Sequence, residues 1–248
     1  MIVKTRSLET ALIAINAALY AGVGYMTFLG IFAPVVGTVR FWPVVVIPAL
    51  FAVVFTPRIG ALGAGLGIFI SDLVIHGDAV LSLTVGVPAN LAGFYILGSL
   101  AHRLKGGNIL GVMGLQLIPL FTAVLAAWTG MIGDLATSLI FIGAAVISLA
   151  IGLGFSIFKK EYGALVSAST IGLLVGSAII GLGVWLYSQA FTLPPVAGGG
   201  SGLPLTAAAI WFLFTYLTEI PFLVILLPVL VSAVRRALPS RVVEAGPQ

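Results

Sequence analysis

The sequence predicts an all-α fold, a polytopic membrane helical bundle of about eight transmembrane helices with both termini cytoplasmic, and three observations carry that prediction. First, 60% of the 248 residues are hydrophobic and 7% are charged, whereas a soluble domain is about half apolar and about a quarter charged. The mean hydropathy is +1.24. Second, apolar runs approaching or exceeding the roughly 18 residues needed to cross a bilayer recur along the whole chain. Third, ten of the 11 Lys and Arg residues fall at the termini and on alternate connections that share one side, as the positive-inside rule requires.

The runs are 9–33, 42–56, 58–75, 79–101, 108–128, 132–158, 163–190 and 206–234, read as one integral membrane domain over 1–248. The first has charged flanks like a signal peptide but is too long for such an apolar core, so it is read as a helix. The second contains Pro43 and Pro48 and, at 1.5 Å per residue, reaches only about 22 Å; it should be short, kinked or tilted. The third carries Gly60, Gly63, Gly65 and Gly67 with Ala61 and Ala64, small residues that let helix backbones approach closely. With the N-terminus cytoplasmic, Lys4, Arg6, Arg58, Arg103, Lys105, Lys159, Lys160, Arg235, Arg236 and Arg241 fall inside and Arg40 alone outside. The glycine- and proline-rich stretch "TLPPVAGGGSGLP", 192–204, falls outside and reads as a linker before it reads as a lid.

Ionisable groups within these runs are costly unless they face the bundle interior or a watered cavity. Asp72 lies in the outer third of the third helix, with His76 four residues on and on the same face, and Asp78 at the outer mouth. Arg40, Phe41 and Trp42 enter the second helix at the same depth, and Trp128, Asp134, Tyr187, Gln189 and Trp211 mark that level on later helices. An interfacial belt accounts for the aromatics by themselves. Deeper, Asn90 follows Pro88 near the middle of the fourth helix, and Glu219 sits about 20 Å along the eighth, with Thr215 one turn before and Pro221 after. Arg40, Trp42, Asp72, His76, Asn90 and Glu219 are therefore the candidate substrate-binding residues.

The stretches "FWPVVVIPALFAVVFTPRIGALGAGLGIFISDLV" and "LSLTVGVPANLAGFYILGSLAHRL", followed at the far end by "TEIPFLVILLPVLVSAVRRAL", resemble the substrate-binding S-components of energy-coupling factor vitamin transporters. Pro57, Gly60, Ala61, Gly67 and Asp72 match that family's third helix. The resemblance covers about 9–105 and 206–238, and it implies a six-helix core to which 108–190 adds two further or divergent helices. It implies uptake of a small water-soluble vitamin-like molecule or micronutrient at the plasma membrane, with the loop around Val35–Phe41 closing over the substrate. It also implies a transmembrane coupling subunit and two ATPase subunits as partners. Ala14, Ala17, Ala18 and Ala21 supply two A-x-x-x-A pairs for docking on the coupling subunit.

Other classes fit less well. There is no cysteine and there are two histidines, His76 and His102, so a cysteine metal site and a His-Glu-x-x-His enzyme are both excluded. No paired carboxylate motif suggests phosphoryl or prenyl chemistry, no Walker sequence is present, and no metal, cofactor or catalytic residue is expected. The net charge of +4 is spread as topology signals, which argues against nucleic acid and for lipid as the surrounding partner. The alternative is a self-sufficient, proton-coupled secondary transporter that uses Asp72 or Glu219 as its relay.

Overall fold

The computed structural model describes residues 6–33, 37–104, 109–132, 134–158 and 160–237; the side chains of 29–41 are not among those described. Lys4, Lys105, Lys159 and Arg241 lie outside the described residues. Eight apolar helical rods follow the eight predicted runs: α1 (Arg6–Met26), α2 (Val46–Val54), α3 (Pro57–Ile75), α4 (Ala79–Arg103), α5 (Ile109–Trp128), α6 (Leu135–Phe158), α7 (Lys160–Ala190) and α8 (Thr206–Ala237). Among the described residues, six helices are long and apolar enough to cross a membrane. Pro43–Val54 and Gly114–Trp128 are shorter apolar helices.

The first run ends differently from its reading. Helix α1 stops at Met26, where the Thr27 hydroxyl donates back to the Val23 carbonyl at 2.8 Å. The remainder forms a hairpin of β1 (Leu29–Ala33) and β2 (Gly37–Phe41), antiparallel with Gly30 opposite Arg40. Hydropathy alone cannot separate an apolar strand from a helix end, and Gly30 with Pro34 disfavours continuing the helix. The proline-bearing second run is short, as expected: Pro43–Val45 makes a 3₁₀ turn that leads into the nine residues of α2.

Small residues set the packing. Helix α3 starts at a Thr56 cap whose hydroxyl accepts the Ile59 N–H at 3.2 Å, with Pro57 in the first turn. Its glycines then admit two neighbours. A Cβ on Gly60 would lie 2.6 Å from the Ala52 Cα of α2, and one on Gly67 would lie 2.8 Å from the Ala17 carbonyl of α1. Asn16, fully buried, ties α1 to α3 by donating to the carbonyls of Ile59 and Gly60 at 3.1 and 3.2 Å.

Helix α4 packs on both α3 and α7, α7 packs on α8, and α2 contacts α3, α4 and α8. Helices α5 and α6 pair on the outer side of α7 and α8. One end of the bundle gathers the starts of α1 and α3 and the ends of α4 and α8, which carry Arg6, Arg58, Arg103, Arg235 and Arg236. Arg58 meets Glu9 there at 3.4 Å. The opposite end holds the hairpin, the α3–α4 turn and the 192–204 loop.

The small face of α1 divides into two. Ala17 and Ala21 are buried within the chain, Ala17 lying close to α3, whereas Ala14 and Ala18 are exposed alongside Gly22. Of the two A-x-x-x-A pairs read for docking, Ala14 with Ala18 is therefore exposed and Ala17 with Ala21 is buried within the chain. Residues three apart turn about 300° around a helix, so the 14/18 and 17/21 pairs present adjacent faces, of which one is already occupied.

Candidate functional site

A cavity of about 130 Å³ lies between α3 on one side and α7 and α8 on the other, with α4 spanning the two. At roughly 30 Å³ per water, that space corresponds to about four water molecules. Helical spacing explains how one sequence lines it. Ile68, Asp72 and His76 come from α3; Trp211, Thr215, Glu219 and Leu223 come from α8, each set repeating every four residues along one face. Val85, Ala89, Asn90 and Phe94 arrive from α4, and Leu173, Ser177, Ile180 and Val184 from α7. Of the six residues proposed from the sequence, Trp42, Asp72, His76, Asn90 and Glu219 line this one space. Arg40 is placed on β2, two residues before Trp42, and its side chain lies outside the described residues.

Asp72 is 4% exposed. The Ser82 hydroxyl donates to its Oδ2 at 2.6 Å, a short charge-assisted length. His76 Nδ1 accepts the Asp78 backbone N–H at 3.1 Å, which leaves Nε2 as the ring nitrogen able to donate. That nitrogen faces Asp72 Oδ1 at 3.5 Å. Ser82 is the first residue of a π-helical turn, Ser82–Gly86, that follows the opening α-turn Ala79–Leu81 of α4. Such wide turns recur at functional sites. Pro88, lacking an N–H, follows two residues later and weakens the regular ladder there. A Cβ on Gly86 would sit 2.8 Å from Asp72 Oδ2, so this position needs glycine for the carboxylate to approach α4.

Asn90 bonds in both directions: its Nδ2 donates to the Gly86 carbonyl at 2.9 Å, and its Oδ1 accepts the Tyr20 hydroxyl at 2.8 Å. Tyr20 stands edge-on to Trp42 and to Phe94, with ring centroids 5.9 and 6.1 Å apart, an aromatic wall contributed by α1, the start of α2 and α4. At the mouth, Asp78 caps α4 by accepting the Leu81 N–H at 3.0 Å and also accepts the Tyr187 hydroxyl at 2.7 Å. Burial pushes the Asp78 carboxyl up, but the bonds from Leu81, Tyr187 and Val80 and the nearby His76 together hold it below its ordinary value.

The 192–204 loop belongs to the site. Val196 and Ala197 line the cavity, and the turn they occupy packs against β2. Gly198, Gly199, Gly200 and Gly202 all have positive φ, which lets the loop curl back so that the Leu193 N–H meets the Gly200 carbonyl at 2.8 Å. Gln189 Nε2 donates to the Leu203 carbonyl at 2.9 Å and fixes the loop's far end to α7. The loop thus contributes Val196 and Ala197 to the cavity lining, which its composition did not indicate.

Other residues named at the same depth separate. Trp211 lines the cavity and Tyr187 holds its rim, whereas Trp128 is 83% exposed. Asp134 lies away from the cavity, bonding the N–H and hydroxyl of Thr137 at the start of α6. Sequence reasoning missed Tyr20, Ser82 and Ser177. The Gly86-Val-Pro88 sequence was the available signal for Ser82; a serine in an apolar helix gave none for Ser177. Among the described residues no cluster of three or more His, Cys, Asp or Glu stands ready for a metal ion. No family model, curated protein or solved structure matches the chain.

Proposed function

We propose that this chain is a membrane-embedded binding subunit for uptake of a small water-soluble molecule, vitamin-like or a micronutrient, acting with a separate ATP-driven coupling module at the plasma membrane. One observation carries the proposal: a roofed cavity near one end of the bundle into which Asp72, His76, Asn90 and Glu219 converge from three helices. Polar side chains in membrane helices are expensive and mark ligand or ion paths. Eight crossings with cytoplasmic termini would put the basic end inside and the cavity in the outer half. The exposed Ala14, Ala18 and Gly22 stripe supports a docking role for α1, and the sequence resemblance to S-components supports the dependence on coupling and ATPase subunits.

The deciding experiment is mass spectrometry of small molecules released from the detergent-purified protein, followed by calorimetry with the compound found. A protein that yields no such molecule and binds none from a vitamin panel would remove the reading. A second reading, proton-coupled transport by this chain without partners, draws on Asp72 and Glu219 lining the same cavity. Uptake by proteoliposomes holding only this chain, driven by a proton gradient, would select it.

Two further outcomes are expected. In this cysteine-free chain, Leu104→Cys should react with a membrane-impermeant thiol reagent from the cytoplasmic side only, and Met131→Cys and Ser201→Cys from the outside only. Labelling of the last two from opposite sides would remove a crossing between them. Ala18→Trp should leave ligand affinity within about twofold yet abolish uptake with the coupling module, since it blocks close helix approach at an exposed position. Ala17→Trp should instead unpack α1 from α3 and lower stability as well.

A further inference from the structure

The α7 and α8 walls contain two polar groups that the chain itself does not satisfy. Ser177 is fully buried and its Oγ has no hydrogen-bond partner among the described residues; Trp211 is 7% exposed and its indole Nε1 likewise has none. Both residues line the cavity. A buried donor left unmatched costs the full loss of its hydration. Two such groups on one cavity wall are accounted for if the cavity's occupant completes them.

Resting on the small-molecule reading above, we propose that Ser177 and Trp211 are ligand-binding residues, and that the occupant is a compact planar heterocycle of lactam or amide type. Its acceptor edge lies against Trp211 and Ser177 and its N–H edge towards Asp72. The assignment of edges follows from donor chemistry. An indole N–H can only donate, so the group facing it is an acceptor, such as the carbonyl oxygen or ring nitrogen of a lactam, and not an ammonium. Across the cavity, the Asp72 carboxylate only accepts when ionised and offers about four lone-pair sites, so the group facing it is a donor. Between these edges Tyr20, Trp42 and Phe94 form an aromatic flank, Gly93, Gly172 and Gly176 leave room where α4 meets α7, and aliphatic side chains such as Val85, Leu173 and Ile180 line most of the rest. Aromatic walls favour a flat partner. The volume of about 130 Å³ suits one or two rings.

The test uses the full chain purified in detergent, with uracil and hypoxanthine as planar lactam probes and cyclohexanone as an acceptor that is neither planar nor an N–H donor. Calorimetry should show saturable binding of at least one lactam and none of cyclohexanone. Trp211→Phe, which keeps an aromatic ring but removes the N–H together with part of the indole's volume, should weaken binding at least tenfold, and Ser177→Ala, which removes only the hydroxyl, severalfold. Thermal melting of each variant establishes that it is folded, and either variant suffices if the other is not. Recovery of a planar heterocycle from the purified protein, with the same loss in the two variants, supports the proposal even if both probes fail. Equal affinity in wild type, Trp211→Phe and Ser177→Ala overturns it. So does recovery of a non-planar molecule, or one without an acceptor edge, by a protein that binds neither lactam; the small-molecule reading then stands. A wild-type cavity that takes only water ends both readings together.

Discussion

Asp72→Asn is expected to weaken binding of the cavity's occupant by roughly 1–3 kcal/mol while the protein still inserts, folds and purifies. The asparagine can keep the local bonds: its carbonyl can take the place of the oxygen that faces His76 Nε2, and its amide can donate to Ser82, whose hydroxyl reverses from donor to acceptor. What it cannot supply is the negative charge and the second accepting oxygen. Asp72→Leu should behave differently. It suits lipid better, yet it strands the Ser82 hydroxyl and the His76 Nε2–H in a buried space, so both binding and thermal stability should fall. If Asp72 serves helix packing only, both variants change the melting temperature and neither changes affinity. Calorimetry on folded protein separates the two cases, using the compound recovered from the wild type.

Gly172→Ala should have a comparable effect on stability, through geometry alone. The added Cβ would lie 2.6 Å from the Gly93 carbonyl oxygen, 2.7 Å from the Leu97 Cβ and 3.0 Å from the Leu97 nitrogen. Two of those three atoms are backbone, so no side-chain rotation relieves the contact. Helices α4 and α7 must move apart, at a cost of about 1–3 kcal/mol for overpacking. Because both helices wall the cavity, ligand affinity should fall together with the melting temperature in detergent. Gly143→Ala on α6 is the matched control, since nothing lies within 4 Å of its new Cβ. Equal melting temperatures for the two variants would show that α4 and α7 do not pack this closely.

Much of the candidate site was legible before any coordinates, and the reason is energetic. In lipid a polar side chain cannot be placed casually, so Asp72, Asn90 and Glu219 stood out as groups that must face inward. Inward faces of neighbouring helices meet, and these three residues line one cavity. His76 followed from its four-residue spacing to Asp72, and Trp42 from entering the second helix at the same depth. Serines carry no comparable penalty in a membrane helix, because they can bond back to their own backbone, as Ser167 does to the Gly163 carbonyl at 2.8 Å. Ser177 was therefore indistinguishable from a packing residue until its surroundings were known.

By itself the sequence determined the membrane character, the places of eight apolar helices, the shortness of α2 and the clustering of basic residues at one end. These are local properties: apolar length, proline geometry and charge between runs act within a few residues of where they are written. Only the tertiary structure decided the rest. Leu29–Ala33 pairs with Gly37–Phe41 instead of extending α1. Ala17 and Ala21 turn inward while Ala14 and Ala18 stay exposed. Ser82, at the start of a π-helical turn, bonds Asp72, and Val196 and Ala197 of the glycine-rich loop line the cavity. Each of these depends on which faces of distant segments come within contact distance. Packing energy decides that by summing many small contacts between residues tens of positions apart, and no short stretch of sequence contains the sum.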